Sequence, residues 1–381
     1  MILRWLNQRD SNNLIGLDIG SDSLKLLKIN SKENSCKVEK FLIAPIPSGA
    51  IIKNEIKNTS TIGNILKDMV RQSEITTKNV ALAIPRASAI IKNIMVDKRL
   101  NSDDIESRAW IEAHRHFPDL VGDIYLDFSI VGPSAQDTSQ LELILVACRK
   151  DQIKPHIEIL RQAGLAPKIV DVNTYALERA LSIVSQTMPE LKTMALLNLD
   201  FNLSTLIVSH ENKLVYAHDQ TFDGRRLMNQ VREYNEKKQK QKSSAENENT
   251  IKEEPIKEEP IKENTVKENQ QEISANKIDG TEDDTKYNEI LKESLSAHLR
   301  HTIHFFYSSR PNINIQRIIL SGDCANISQL ALFIQREIGI EVVIANPFVN
   351  MTLESQVDKE KLKQNAPSLM LCCGLALSEL N

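Results

Sequence analysis

Short apolar segments of strand character alternate along this chain with longer segments of helical periodicity. The pattern predicts strands at residues 14–19, 24–29, 80–85, 89–96, 125–131, 141–147, 167–172, 195–200, 204–209, 214–219, 317–322 and 341–345. It predicts helices at residues 101–117, 154–163, 174–185, 287–309, 328–338 and 367–380. Because strands and helices alternate, the expected fold class is α/β.

Turn and cap residues mark several of these boundaries. The connection at residues 20–23 is short enough to make a hairpin of the first two strands. Asn101 or Ser102 can cap the helix that follows, where Asp103 also suits the helix dipole. Gly164 directly follows the helix predicted at 154–163 and is a C-cap signal for its end. Local sequence therefore agrees with the predicted elements.

The segment 236–284 differs from the rest of the chain. It holds 23 charged residues among 49, no aromatic residue, and a drifting five-residue repeat that begins IKEEP IKEEP. Isoleucines five apart advance by about 140° per repeat on a helix, so no apolar stripe forms. A segment of this kind buries too little apolar surface to offset its ordering entropy. We expect a disordered, solvated loop, with a partner-binding tail as the alternative.

Charge and hydropathy limit the possible partners. The formal net charge is −4, and the segment 236–284, with nine lysines against 14 acidic residues, accounts for it. No strong field therefore points to nucleic acid or to a membrane surface. The start of the chain, MILRWLNQRD, lacks the apolar core of a signal peptide, and the longest uncharged run, 364–378, is too short to span a bilayer. We expect a cytosolic protein with no direct membrane insertion.

The five cysteines do not form a recognisable framework. Cys36, Cys148, Cys324, Cys372 and Cys373 show no Cys-x-x-Cys spacing, which argues against disulfides and metal fingers. The adjacent pair lies in the apolar stretch LMLCCGLAL. We predict that both are small buried hydrophobic side chains.

A short internal repeat suggests a phosphate site. The segments LDIGSDSLKLL and LDFNLSTLIVS align without a gap at an offset of 182 residues, so that Asp18 matches Asp200 and Gly20 matches Asn202. In each segment a strand ends in Asp, and a residue that tolerates positive φ follows. Turn N–H groups of this kind form a concavity suited to phosphate, and a neighbouring Asp can hold Mg²⁺ through water.

A third turn has a related shape, and no catalytic group accompanies it. In LSGDCA a predicted strand runs into Gly322, where the backbone can approach a nucleotide closely; an ordinary strand-to-helix turn is the alternative. No Ser/His/Asp order and no general base are supported by the sequence. The residues therefore favour a binding protein, and enzymatic activity would be at most a weak ATPase.

The order of several segments resembles one protein family. These are VALAIP, LVACRK, AGLAPKIVDV, NLD, FDGRRL, HFFYSS, ILSGDCA, ANPFVNM and APSLMLCCGLAL. The chain resembles the PilM family of type IV pilus assembly proteins, which act in twitching motility and are actin-like, nucleotide-binding relatives of the division protein FtsA. The resemblance covers nearly the whole chain apart from the charged insert. It implies an actin-like fold, with two related α/β halves around a nucleotide cleft and a small α+β subdomain inserted in the first half.

The resemblance also implies domain boundaries. The first-half core is expected at 12–85, 167–190 and 365–381, and the inserted subdomain at 86–166. The second-half core is expected at 191–232 and 315–364. The remaining subdomain is expected at 233–314 and contains the insert 236–284.

By resemblance, the cleft binds ATP with Mg²⁺. The residues implied for cofactor binding are Asp18, Gly20, Ser21, Ser23, Lys25, Asp200, Asn202, Ser204, Thr205, Gly322 and Asp323. Asp18 is expected to hold Mg²⁺ through water, and Lys25 is expected near the phosphates.

Two positions depart from the family pattern. The usual Gly of the second hairpin is Asn202, and the usual Gly-Gly is Gly322-Asp323. Asp323 is therefore expected near the ribose or phosphate, where Coulomb repulsion would weaken nucleotide binding by about 1 kcal/mol or more.

The implied partner is the cytoplasmic amino-terminal tail of the inner-membrane protein PilN. An extended peptide would suit a groove at the strands 89–96 and 141–147. The partner-binding residues expected there are Ile91, Ile94, Val96, Leu143 and Leu145. Through this partner the protein would be recruited to the cytoplasmic face of the inner membrane.

Two other functions remain open. An actin-fold ATPase or phosphotransferase would show Mg-dependent ATP turnover that disappears in Asp18→Ala. A division-type filament protein would need an amphipathic membrane tail, whereas the chain ends in GLALSELN without basic residues.

Overall fold

A computed structural model describes residues 2–4, 14–32, 35–52, 55–116, 123–134, 136–249 and 282–378. The chain forms two compact units. The larger unit comprises Met1–Gly224 and His298–Asn381, and the smaller comprises Arg225–Ala297. The larger unit holds the strands and the candidate site.

The strands, in chain order, are β1 (Ile2–Arg4), β2 (Ile15–Ile19), β3 (Ser23–Lys32), β4 (Ser35–Pro45), β5 (Ile51–Ile52), β6 (Glu55–Ile56), β7 (Asn79–Ile84), β8 (Ala89–Asp97), β9 (Ile124–Pro133), β10 (Gln140–Arg149), β11 (Ala166–Val172), β12 (Thr193–Leu199), β13 (Leu203–His210), β14 (Lys213–Thr221), β15 (Arg317–Ser321), β16 (Val342–Ile344) and β17 (Thr352–Leu353). Each of the twelve strands predicted from the sequence is present.

The helices are α1 (Thr59–Ser73), α2 (Ser102–His116), α3 (Lys150–Gln162), α4 (Asn173–Ser185), α5 (Gly224–Asn249), α6 (Glu282–Ser309), α7 (Leu330–Ile338), α8 (Lys359–Asn365) and α9 (Met370–Ala376). Short 3₁₀ turns at Arg86–Ser88 and Ala366–Leu369 precede β8 and α9. The helix predicted at 367–380 is therefore split into a 3₁₀ turn and α9.

The first sheet has the strand order β1-β11-β7-β2-β3-β4-β17. Its middle is a hairpin of β2 and β3 beside the parallel strands β7 and β11. This arrangement confirms the hairpin expected from the short connection at 20–23. The short strand β17 pairs with β4 in this sheet, although the sequence analysis had assigned its residues to the second half.

The second sheet repeats this scheme. Its order is β14-β13-β12-β15-β16, with a β12–β13 hairpin followed along the sheet by the parallel strands β15 and β16. Strand β12 is buried along its whole length, as expected for a strand covered on both faces. The carboxyl ends of β12 and β15 are therefore neighbours.

A third, three-stranded sheet has the order β8-β10-β9 and lies within the predicted insertion 86–166. One face is covered by α2, which presents Ile105 and Ala109 to it. Asn101 caps this helix, because its Oδ1 accepts the N–H of Asp104 over 2.9 Å. The capping prediction is thus confirmed.

Two large clusters of apolar side chains form the core of the larger unit. One packs α1 and α3 on the first sheet, and the other packs α4 and α9 between strands of both sheets. Cys372 and Cys373 are fully buried in the second cluster, and all five cysteines are free thiols. The prediction of small buried side chains is confirmed.

The smaller unit contains most of α5 and the first part of α6. Ser294 donates a hydrogen bond to Gln230 over 3.0 Å, and the rings of Tyr234 and Tyr287 lie 5.3 Å apart. Helix α5 continues to Asn249 and α6 begins at Glu282, so the expected loop is wrong for residues 236–249 and 282–284. Lys, Gln and Glu are strong helix formers even without an apolar stripe. Residues 250–281 lie outside the described residues. Within the described part, no helix is long and apolar enough to cross a membrane.

Candidate functional site

The β2–β3 hairpin places a carboxylate directly opposite an ammonium. Asp18 and Lys25 are partners in the antiparallel register, so their side chains point to the same face. The Nζ atom of Lys25 lies 3.1 Å from Oδ2 of Asp18. The turn is closed by the N–H of Gly20, which donates to the carbonyl of Ser23 over 3.0 Å. The short turn sets the register of the hairpin and thereby places Asp18 opposite Lys25.

The second hairpin and β15 bring two further aspartates together. Asp200 follows β12, and Asp323 follows β15, its parallel neighbour. The N–H of Asp323 donates to Oδ1 of Asp200 over 3.2 Å, and Asn198 donates to Oδ2 over 2.6 Å. Gly322 has φ of 94°, and a Cβ atom there would overlap the backbone of Leu199. Glycine is therefore required at this turn.

Lys25 joins the two sheets at this point. Its Nζ atom lies 2.8 Å from Oδ1 of Asp323, in addition to its contact with Asp18. The exposed fractions of the Lys25, Asp18 and Asp323 side chains are 3%, 14% and 11%. The ammonium is thus held between carboxylates of the two sheets, in a setting largely closed to water.

Burial and mutual repulsion shift the pKa values of these groups. Burial raises the pKa of Asp18, although the Lys25 ammonium opposes that rise. Burial, followed by repulsion from Asp323, raises the pKa of Asp200 to about 7. Burial lowers the pKa of Lys25, but the surrounding carboxylates outweigh this, and its pKa lies well above the ordinary value. Lys25 therefore remains charged at neutral pH.

Both hairpins line one cavity of about 110 Å³. Seven of the eleven residues predicted for cofactor binding line it: Asp18, Gly20, Ser21, Lys25, Asp200, Asn202 and Asp323. Ser23, Ser204, Thr205 and Gly322 lie outside its lining. Ligand pockets usually enclose roughly 300 to 1,000 Å³, so a nucleotide would need side chains to move.

The hydroxyl residues Ser204 and Thr205 of the second hairpin do not line the cavity. Thr205 is fully buried and donates to Oδ1 of Asp219, its cross-strand partner, over 2.8 Å. Ser204 is buried too, and its Oγ has no hydrogen-bond partner among the described residues. Both hydroxyl groups therefore lie in buried surroundings rather than at the cavity surface.

Neither turn uses the left-handed backbone that the sequence suggested. The non-glycine residues with positive φ in the described ranges are Glu74, Glu211, Asn212 and Gln329, and Gly20 is not among the glycines with positive φ. Asn202 therefore replaces the usual glycine without backbone strain. At Gly20 the constraint is space, because a Cβ atom would lie 3.1 Å from the carbonyl oxygen of Ser23.

Two polar residues of the cavity lining, Asn173 and His156, were not predicted from the sequence. Asn173 opens α4 directly after β11; its Oδ1 accepts the N–H of Arg86, and its Nδ2 lies 3.4 Å from Oδ2 of Asp219. The end of a parallel strand was a usable signal for it. His156 enters from α3, and burial lowers its pKa. No local signal identified this histidine.

The residues do not fit the expected Mg²⁺ site. Oδ2 of Asp18 is already paired with the Lys25 ammonium, which would repel a divalent cation beside the same carboxylate. In the parts of the chain that the structure describes, no group of three or more His, Cys, Asp or Glu side chains could hold a metal ion. We therefore assign no step to a metal here.

The residues expected to bind a partner lie on both faces of the three-stranded sheet. Ile94, Val96, Leu143 and Leu145 are buried in the cluster that α2 covers. This differs from the open groove expected for them, because α2 closes that face. Ile91 lies on the other face and is half-buried.

Comparisons with known proteins agree with this architecture. The family model described as "Type IV pilus assembly protein PilM" matches residues 16–274 and 269–380. A solved "PilM-PilN type IV pilus biogenesis complex" is similar with a TM-score of 0.69 and 19% identity, over 97% of this chain and 98% of that chain. At this identity the similarity shows a shared fold.

Two further structures are similar with lower scores. The ethanolamine utilization protein EutJ from Carboxydothermus hydrogenoformans has a TM-score of 0.46 and 11% identity, over 97% of this chain and 90% of its own. MreB5 of Spiroplasma citri, bound to ADP, has a TM-score of 0.43 and 10% identity, over 95% of this chain and 94% of its own. The two sheets of matching strand order, with helices packed on them, have the α/β architecture expected for two related halves.

The family match extends through both sheets, the three-stranded sheet and the carboxyl-terminal helix α9. It includes both hairpins and the Gly322 turn. The chain belongs to the family of type IV pilus assembly proteins PilM.

Proposed function

We propose that this chain is a cytoplasmic scaffold of type IV pilus assembly that binds the amino-terminal tail of PilN on its three-stranded sheet. The observation that carries this proposal is the unequal covering of the two faces of that sheet. Helix α2 covers one face, while the other leaves apolar side chains accessible. The partner is taken from the similar PilM-PilN complex.

The accessible face lies beside a strand edge that pairs with no other described strand. Met95 on β8 is 43% exposed, and Ile91 and Ile144, which lie further along the same face of the sheet, are half-buried. Strand β8 pairs with β10 on one side and is the edge strand of its sheet on the other. An extended peptide can add to such an edge through main-chain hydrogen bonds and place alternate side chains on the apolar face.

The accessible face of the three-stranded sheet is buried in the core of the larger unit at the end of the sheet away from Met95. Val146 and Cys148 on β10 are buried, and Cys148 belongs to the cluster under α1 and α3. The accessible portion is therefore confined to the half of the sheet around Met95. We place the tail there rather than at the four side chains under α2.

Binding of a labelled PilN amino-terminal peptide, followed by fluorescence anisotropy, tests this placement. Met95→Asp introduces a charge into the proposed contact and should weaken binding at least tenfold. Leu332→Asp is the matched control, because Leu332 is 50% exposed on α7, outside the three-stranded sheet. Equal binding by Met95→Asp and the wild type would rule out this surface.

ATP is the second ligand that we propose, in the cavity lined by both hairpins. The observation that favours it is the convergence of the two matching turns and the Gly322 turn at the ends of their strands. Ends of strands in α/β proteins are the usual place for such ligands. Asp18, Lys25 and Asn173 are the polar groups that would face the ligand.

We propose binding without appreciable turnover. The carboxylates of the cavity lining are already engaged. Asp18 and Asp323 are paired with Lys25. Both oxygens of Asp200 accept hydrogen bonds, one from Asn198 and one from the N–H of Asp323, so none of the three is positioned to take a proton from water. Phosphate release by the wild type should therefore match that of Asp18→Ala. A wild-type rate that is clearly higher and that disappears in the variant would favour the ATPase alternative.

A further inference from the structure

We propose that Asp323 is a built-in competitor for the Lys25 ammonium, so that a nucleotide phosphate can reach Lys25 only by displacing this carboxylate. The inference rests on the proposed ATP site and adds a control on its affinity. It follows from the contacts of Lys25, from the charges that line the cavity, and from the origin of the two carboxylates in different sheets.

The contact geometry leaves Lys25 no spare direction towards a ligand. Its Nζ atom lies 2.8 Å from Asp323 and 3.1 Å from Asp18, and its side chain is 3% exposed. An ammonium has three donors. Two of them are committed to carboxylates, and burial of the side chain leaves the third almost no accessible surface. A phosphate oxygen can reach the same nitrogen at hydrogen-bond distance only if one carboxylate moves.

The remaining lining offers a phosphate little compensation. Lys25 is the one lining residue with a permanent positive charge, whereas Asp18, Asp200 and Asp323 contribute carboxylates. An incoming phosphate would therefore meet repulsion from these carboxylates before it reached a cation. Its affinity depends on which carboxylate leaves Lys25.

The two carboxylates differ in how firmly they are placed. Asp18 lies opposite Lys25 in the same hairpin, so the register of β2 and β3 fixes their contact. Asp323 reaches Lys25 from the turn after β15 in the second sheet. Asp323 is therefore the carboxylate that can leave, and Asp18 remains as a counter-ion for the ammonium.

The backbone of Asp323 is engaged as well as its side chain, so the turn after β15 offers neither group to a nucleotide. Its N–H group is directed at Oδ1 of Asp200, and its side chain is directed at Lys25. Both polar parts of the residue are thus engaged inside the cavity. Replacing the Asp323 side chain by an uncharged one removes the competing carboxylate, while the N–H of residue 323 can still donate to Asp200.

The test is ATP binding to the full-length protein, measured by isothermal titration calorimetry with Mg²⁺ and with EDTA. Asp323→Asn should bind ATP at least tenfold more tightly than the wild type, which corresponds to about 1.4 kcal/mol. Asp323→Gly should show a similar gain. Asp68→Asn on α1, which makes the same change in net charge at an exposed site, should bind like the wild type.

The outcomes separate this inference from the proposal on which it rests. Tight binding by the wild type, with no gain in Asp323→Asn, would overturn the competitor role but retain the ATP site. An equal gain in Asp68→Asn would also overturn it, because net charge would then be the cause. No binding by any variant would overturn both. Peptide binding is measured separately and does not depend on any of these results.

Discussion

The guanidinium of Arg179 on α4 donates a hydrogen bond to Oδ2 of Asp171 on β11 over 2.9 Å. A second donor of Arg179 reaches the carbonyl oxygen of Gly374 on α9 over 2.6 Å. The exposed fractions of the Arg179 and Asp171 side chains are 7% and 0%. This buried pair links two helices to the first sheet.

Loss of the arginine should strongly destabilise the protein. Arg179→Met leaves the Asp171 carboxylate buried without its ion partner, and breaking such a pair typically costs about 3 to 5 kcal/mol. Urea denaturation measures this loss. The double variant Asp171→Val with Arg179→Met removes both charges and should recover part of it. A loss below about 1 kcal/mol in Arg179→Met would contradict the buried position of the pair.

Helix α9 approaches α4 so closely that a methyl group does not fit at Gly374. A Cβ atom there would overlap the carbonyl oxygen of Ala176. Gly374→Ala should therefore lower the free energy of unfolding by about 2 kcal/mol or more, since both overlapping groups belong to packed backbone. Thermal and urea unfolding would measure the change.

Gly63→Ala on α1 is the matched control for this prediction. The nearest atom that its Cβ would meet is Oε1 of Gln162, at the far end of a side chain that can rotate away; the Cβ of Gln162 lies at 3.0 Å and would have to shift slightly. Alanine is the better helix former by about 1 kcal/mol. Gly63→Ala should therefore be neutral or slightly stabilising. Similar losses in both variants would show that close packing at α9 is not the cause.

The sequence predicted the local parts of the site and missed its non-local contact. The pairing of Asp18 with Lys25 follows from a short turn between two strands, because cross-strand partners share a face. The contact of Lys25 with Asp323 joins the first sheet to the second, and the two residues lie far apart in the sequence. Local periodicity carries no information about which distant strands become neighbours.

The partner surface was harder to predict for a related reason. Ile94 and Met95 are adjacent apolar residues of one strand and point to opposite faces of the sheet. The sequence identifies both as apolar but does not say which face receives α2. The periodicity of α2, with Ile105 and Ala109 four residues apart on one side, was the available signal.

Removal of residues 250–281 should leave the fold stable. Most of the charged repeat lies in this range, and its composition favours solvation over burial. Replacing it with a short Gly-Ser linker should change the unfolding temperature by less than about 2 °C, because few stabilising contacts are lost. Differential scanning calorimetry would measure this change.

Leu291→Ala provides the positive control for the deletion. Leu291 on α6 is fully buried, and such a truncation typically costs about 2 to 5 kcal/mol. A deletion variant that unfolds as early as Leu291→Ala would mean that the repeat packs against the folded units. That result would contradict the expectation that the charged repeat is solvated.

The protonation of Asp200 should make stability depend on pH. Its pKa in the folded protein is raised to about 7, mainly by burial, from an ordinary value of 3.8. Between about pH 4 and pH 7 the folded state therefore binds more protons at this site than the unfolded state. The contribution of Asp200 to the free energy of unfolding is greatest at low pH and is lost as the pH rises towards 7. The full effect is at most about 4 kcal/mol, from about 1.4 kcal/mol per pKa unit.

Asp200→Asn isolates this contribution, because the amide does not titrate. Urea denaturation at pH 5 and pH 7.5 should show that the wild type loses more stability than the variant over this interval. Burial also raises the pKa values of Asp18 and Asp171, so the wild-type decrease has several sources, and the difference between the two proteins reports Asp200 alone. The introduced amide keeps an acceptor for one of the two hydrogen bonds that Asp200 receives, so the absolute stability will differ at both pH values. Parallel pH dependence in the two proteins would mean that Asp200 is ionised throughout, and that Lys25 outweighs the burial of Asp200 and its repulsion from Asp323.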